Sequence, residues 1–177
     1  DYIVSPSLIS DNGFTFSTDQ IVFVGYGIKK DSYNDFAGTD IKGKVVMMFN
    51  GGDPTIKSGT RIDRASYRAM LEGRAKYFAE NNVKAIILID PSVDRITENS
   101  KKAQNNGRVM VKTNAAIEAQ KQNEIPRISI SVALANDLLK SANTTVADLQ
   151  KKITESLTPA SQIIGVPSSA RLNSKPE

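Results

Sequence analysis

The chain of 177 residues contains no cysteine, no histidine and no tryptophan. Each absence removes a class of chemistry. Without His or Cys, neither a Ser-His-Asp nor a Cys-His nucleophile system assembles from this chain alone. A zinc site would rest on carboxylates only, against the metal's preference for imidazole and thiolate. Most single-chain hydrolase mechanisms are therefore excluded, and two-carboxylate glycosidase chemistry remains in principle. The lack of cysteine leaves the redox compartment open, because it suits cytosol, periplasm or surface alike. Aromatic residues are sparse at 6%, so no stacking platform for nucleic-acid bases suggests itself. Long apolar runs are missing too: IVFVGYGI, KVVMMF and AIILI fall far short of the ~20 residues of a membrane-spanning helix.

What is present is ordinary for a globular domain. Apolar residues make up 40% and charged residues 24% of the chain, and its length suits one domain of roughly 100–200 residues. Such a chain buries about two-thirds of its unfolded surface, enough to fold without disulfides or metal. The 23 basic and 19 acidic residues leave a formal charge of +4. The local excess sits at Lys101, Lys102, Arg108 and Lys112. A solvated surface accounts for it, whereas nucleic-acid binding calls for a basic stripe with interleaved aromatics. The chain begins at Asp1 and ends in RLNSKPE; with no signal-peptide pattern, it is expected to be a piece of a longer protein.

Hydrophobic patterning predicts a mixed α/β fold. Residues 20–28, 44–50, 84–90 and 125–131 are short runs dense in β-branched residues, each read as a strand. GFTFSTD at 13–19 alternates and is expected to form an edge strand, and RVMVKT a short strand within the long polar excursion 92–124. Between Asp63 and Asn82, Ala65, Leu71, Ala75, Phe78 and Ala79 recur at helical spacing, with Asp63 as N-cap. Ser131 is placed to cap a helix over VALANDLLKSA, and Thr145 with Asp148 fits a capping box for VADLQKKITESL. The final PASQIIGVPSSARLNS reads as an extended return strand.

Three stretches invite a site reading. Gly25-Tyr26-Gly27 follows an apolar run, as a dinucleotide fingerprint would, but the sixth position is Lys30 and no helical stripe follows. The glycines are instead expected to supply unusual backbone angles or close packing. NGGDP at 50–54 lacks the Gly-Lys-Ser/Thr ending of a phosphate loop. It reads either as a strand-to-loop turn or as a loop facing a partner or substrate. Asp31, Asp35 and Asp40 miss the spacing of a calcium loop, and surface Asx-turns are expected for them.

Taken together, IVFVGYGI, YNDFAGTDIKGKVVMMFNGGDP, the helix carrying Arg74-Ala75-Lys76-Tyr77-Phe78-Ala79, NNVKAIILIDP and IPRISISVALANDLL resemble the protease-associated (PA) domain. The likeness is to the form inserted in bacterial zinc aminopeptidases of the aminopeptidase Y and leucyl aminopeptidase type. It runs from about Ile21 to Leu139, with Val83-Lys84-Ala85 where relatives often have Gly-Ala before the strand. The resemblance implies an α/β (α+β) fold, a β-sandwich or open β-barrel with two or three flanking helices. It divides the chain into a flank at 1–19, a PA-like domain at 20–157, and a return strand and linker at 158–177. It also implies a non-catalytic domain with no cofactor of its own, zinc being bound in a separate catalytic peptidase domain of the same secreted or periplasmic protein. Peptide substrate would meet loops 50–61 and 92–114, with Asn50, Gly51, Gly52, Asp53, Arg61 and Arg108 as facing residues. Nucleic acid and membrane are not expected partners. A protein-interaction or dimerisation module without influence on peptide selection is the alternative.

Overall fold

A computed structural model of the chain describes residues 2–4, 17–57, 59–100 and 125–165. The elements are β1 (Tyr2–Val4), β2 (Gln20–Phe23), β3 (Lys29–Lys30), β4 (Tyr33–Asn34), β5 (Val45–Phe49), α1 (Arg64–Glu80), β6 (Ala85–Ile89), β7 (Arg127–Ile130), α2 (Val132–Leu139), α3 (Val146–Ser156) and β8 (Gln162–Gly165). Six strands form one sheet in the order β1-β7-β6-β5-β2-β8, and β3 and β4 pair as a separate two-stranded ribbon. The four central strands run parallel, with Ile21 opposite Val45, Val45 opposite Ala85 and Ile87 opposite Ile128. The edge strands β1 and β8 are antiparallel to β7 and β2.

Parallel strands are covered on both faces, which is why β5 reads as an unbroken apolar run with all of Val45–Phe49 buried. Side chains alternate between the faces with period two. Ile21, Phe23, Val45, Met47, Phe49, Ala85, Ile87, Ile89, Ile128 and Ile130 share one core with Ala135 and Leu139 of α2 and Val146, Leu149 and Ile153 of α3. Val22, Val24, Val46, Met48 and Ile86 share the other with Phe36, Ile41 and Phe78 of α1. The mixed α/β class expected from the sequence is the class of this fold, and α1, α2 and α3 are its flanking helices. Among the described residues, helices and loop rather than a second large sheet cover each face, so they form an open sheet where a sandwich or open barrel was expected. The segments before residue 20 and after 157 contribute its two edges, β1 and β8.

The caps lie where local chemistry places them. Asp63 accepts from the backbone N–H groups of Ala65 and Ser66, Ser131 from Leu134 and Thr145 from Asp148. The packed stripe of α1 differs from the expected one. Leu71 is 40% exposed and only Phe78 is fully buried, while Met70, Arg74 and Tyr77 are half-buried. The helix is turned by Tyr77 and Phe78 against Phe36, at ring distances of 4.5 and 5.9 Å. The stem of Arg74 and the pliable Met70 then face the protein in place of Leu71. The expected strands at 13–19 and in RVMVKT fall wholly or partly outside the described residues.

Candidate functional site

Because β2, β5, β6 and β7 are parallel, their carboxyl ends lie along one edge of the sheet, the usual place for ligands in open α/β sheets. The segments leaving that edge are Gly25–Gly27, Asn50–Asp53, Asp90–Ser92 and Ser131.

The first is a turn, closed by Gly27 N–H to the Val24 carbonyl at 2.7 Å. Gly25 and Gly27 have φ of +49° and +65°, the left-handed region that glycine enters without steric cost. The turn cradles an anion, and that anion is internal. The carboxylate of Asp35, which is fully buried, accepts the backbone N–H of Tyr26 at 3.1 Å and of Ile28 at 3.0 Å on Oδ2. Its Oδ1 accepts the Tyr33 hydroxyl at 2.8 Å, and its backbone carbonyl accepts the Ser161 hydroxyl. Burial raises the pKa of Asp35, opposed by these hydrogen bonds. Burial and the bond to Asp35 push the Tyr33 phenol well above its ordinary value. The expectation of surface Asx-turns is corrected here. Asp40 does form one, accepting from Lys42 N–H at 3.0 Å, but Asp35 is a core residue, because two backbone donors and a phenol compensate its desolvation.

In the second segment, Asn50 donates from Nδ2 to Asp90 Oδ2 at 2.7 Å, joining the ends of β5 and β6. Gly51 leaves room for the Tyr26 ring, whose nearest carbon lies 2.9 Å from where a Cβ would stand. Asp53 is buried and paired with Lys30 of the ribbon. It also accepts from Thr55 N–H at 2.9 Å and from the Thr55 hydroxyl at 2.6 Å. Asp53 therefore anchors its loop inward. Asn50 and Arg61 are exposed and Gly51 and Gly52 half-exposed, whereas Arg108 lies outside the described residues.

Two grooves flank α1. One, of about 550 Å³, runs between α1, the ribbon and the loop after β5 and is lined by Ile28, Lys30, Asp53, Ile56, Met70 and Arg74 among others. The other, of about 430 Å³, lies over the sheet beside Met48, Leu71, Leu88 and Arg127. Arg74 lines both. Its Nη2 reaches the Gly51 carbonyl only at 3.5 Å and Met70 Sδ at 4.0 Å, and its Nε is buried without a partner. Burial lowers the guanidinium pKa, opposed by Tyr67 and Asp35. Sequence reasoning did not nominate Lys30, Arg74 or Asp90, since their partners lie 23 to 40 residues away along the chain.

No protein-family model, no curated protein and no solved structure matches the chain. Among the described residues, no group of acidic side chains is arranged to hold a metal ion, and no helix is long and apolar enough to cross a membrane.

The electrostatics of this edge set a pH dependence. Burial pushes the carboxyls of Asp53 and Asp90 up, but hydrogen bonds from Lys30 and Thr55 to the one and from Ser92 and Asn50 to the other outweigh it. Both therefore sit below the ordinary value of 3.8. A carboxylate depressed in the folded state contributes stability above its unfolded pKa and loses it as pH falls through the folded value. The stability difference between the unmodified chain and Asp53→Asn, read from urea midpoints, is expected to shrink as pH falls from about 5 to about 3. A difference that grows over that window would reverse the assignment.

Proposed function

We propose that this chain is a non-catalytic PA-type accessory domain of a secreted zinc-dependent aminopeptidase, bordering the active cleft and influencing which peptides enter. The observation that carries the reading is a contact between two separate motif stretches. Val24-Gly25-Tyr26-Gly27 and Tyr33-Asn34-Asp35-Phe36, on which the PA resemblance rests, meet through the Asp35 carboxylate. The motif letters thus have a joint physical reason, which supports reading them as one module and not as scattered coincidences. A chain with no histidine also fits a partner domain that supplies the zinc ligands. Substrate would meet the exposed part of the Asn50–Arg61 loop at the carboxyl edge.

The test compares the parent enzyme with a version lacking residues 2–165, the span that includes both sheet edges. Deletion is expected to change the ratio of kcat/KM between long and short peptides by roughly tenfold, about 1.4 kcal/mol of transition-state discrimination. An unchanged ratio in a folded, zinc-loaded deletion variant sinks the reading.

One observation favours the interaction-module alternative: Tyr67 and Leu71, 43% and 40% exposed, line the groove over the sheet. Exposed apolar patches mark contact sites when they reach a few hundred Å². Self-association of the domain in light scattering, abolished by Leu71→Asp, is the result that alternative requires.

A further inference from the structure

We propose that the groove between α1 and the β3–β4 ribbon binds the free α-carboxylate end of a peptide, with Arg74 as its clamp. The charges lining this groove are otherwise matched. Lys30 is paired with Asp53, Lys76 lies 3.9 Å from Glu80, and Lys29 stands 4.3 Å over the Tyr77 ring. Arg74 is the exception. It has no carboxylate at ion-pair distance among the described residues, one long contact to a carbonyl at 3.5 Å and an orphaned Nε. A half-buried guanidinium carries five donors and no acceptor capacity of its own, and leaving such donors unpaired is costly. The Nε is enclosed and out of a ligand's reach, so a carboxylate in the groove would bond the Nη groups, of which Nη2 has only the 3.5 Å carbonyl and the Met70 sulfur.

The ligand class follows from the surroundings. A guanidinium fork matches a planar carboxylate in two parallel hydrogen bonds. Asp35 and Asp53 contribute negative potential at Arg74 and Arg127 positive potential, so the charge of Arg74 is partly offset, which favours a singly charged ligand over a phosphate dianion. Ile28, Ile56, Ile62, Met70 and Phe36 supply apolar walls for the side chain next to the carboxylate. The volume of about 550 Å³ falls in the range of small-ligand sites and accommodates a terminal residue or two. The physiological meaning, a grip on the far end of a peptide whose amino end is being cleaved, rests on the accessory role proposed above. The clamp itself is a property of this chain.

The experiment titrates the chain with N-acetyl-Ala-Ala-Leu bearing a free carboxylate, with the same peptide as its C-terminal amide, and with inorganic phosphate. Binding is followed through the Arg74 Nε–H cross-peak in NMR and by calorimetry. The acid is expected to bind about tenfold or more tightly than the amide, the factor a charged hydrogen-bond pair supports, and to shift the Arg74 signal. Arg74→Met is expected to erase the preference and Arg74→Lys to keep part of it. Equal binding of acid and amide, or no binding of either, overturns the proposal. So does phosphate binding as tight as the acid, which marks a general anion site. The acid-amide comparison needs no variant, so it decides the matter even where Arg74→Met loosens the fold. A preference for the acid alongside unchanged peptide selection by the deleted parent would leave the clamp standing and remove the accessory role.

Discussion

Replacing Asp35 with alanine is expected to destabilise the domain by about 4 kcal/mol, the cost of stranding several buried donors at about 1–3 kcal/mol each less the relief of a buried charge. The stranded groups are the N–H of Tyr26, in a part-buried bond, and the N–H of Ile28 and hydroxyl of Tyr33, both in buried ones. Against a total stability of about 5–15 kcal/mol for a natural domain, this is a large fraction. Urea unfolding should show the midpoint falling with little change in slope. Asp35→Asn is the informative control. Its amide oxygen can keep both backbone bonds, and its NH2 can donate to the Tyr33 oxygen, so a loss of about 1 kcal/mol is expected. A loss for Asp35→Ala no larger than for Asp35→Asn would show that the cradle is not what holds the turn.

Removing Asp35 also changes how stability responds to pH. Burial raises the Asp35 pKa above the ordinary 3.8, so the unfolded chain releases this proton first as pH rises. The stability associated with Asp35 is therefore full below the unfolded pKa and is lost as pH climbs through the raised folded value. This is opposite in sign to Asp53 and Asp90. The stability of the unmodified chain relative to Asp35→Asn should fall as pH rises above about 4, whereas its difference from Asp53→Asn grows as pH rises toward about 4 from below.

How far the sequence reading reached depends on the distance over which each feature is determined. Val45–Phe49 and Ala85–Ile89 were readable as buried strands because a strand covered on both faces shows an unbroken apolar run. Asp63, Ser131 and Thr145 were readable as caps because a cap bonds only two or three residues ahead. The backbone role of Gly25 and Gly27 was readable once no helix followed them. The packed face of α1 was not, because Arg74 and Met70 bury their stems while Leu71 lies outward, and hydropathy ranks them the other way. The ribbon at Lys29–Asn34 left no signal in the sequence, since a pair of two-residue strands carries no periodicity. Asp35 was misjudged for a deeper reason. An isolated aspartate in a polar loop looks solvated, and what makes its burial affordable lies seven to nine residues upstream and in the Ser161 hydroxyl, 126 residues downstream. The candidate site shares that character: Lys30 with Asp53, Asn50 with Asp90 and Arg74 with Gly51 are joined by the sheet and not by local sequence.

Gly25→Ala should destabilise almost as much as Asp35→Ala, about 3–4 kcal/mol, and for a reason that a double-mutant cycle can isolate. A Cβ at Gly25 would stand 2.3 Å from Asp35 Oδ1 and 2.8 Å from Cγ, so the carboxylate must leave the cradle and abandon its donors. The positive φ of 49° adds about 1 kcal/mol for a residue with a Cβ. At Gly27 the same substitution meets only Met48 Cε at 3.3 Å and Arg74 Cδ at 3.4 Å. Both belong to flexible side chains, so Gly27→Ala should cost about 1–2 kcal/mol, mostly from its backbone angle. The cycle separates collision from backbone strain. In the Asp35→Ala background the oxygen that Gly25→Ala strikes is gone, so its additional cost should drop to about 1 kcal/mol, giving a coupling of about 2–3 kcal/mol. Gly27→Ala touches no atom of Asp35, so its cost should change little between the two backgrounds. If Gly25→Ala costs the same with and without the carboxylate, backbone strain alone accounts for the glycine. The turn would then be a sharp corner that happens to lie near Asp35, and not a cradle built around it.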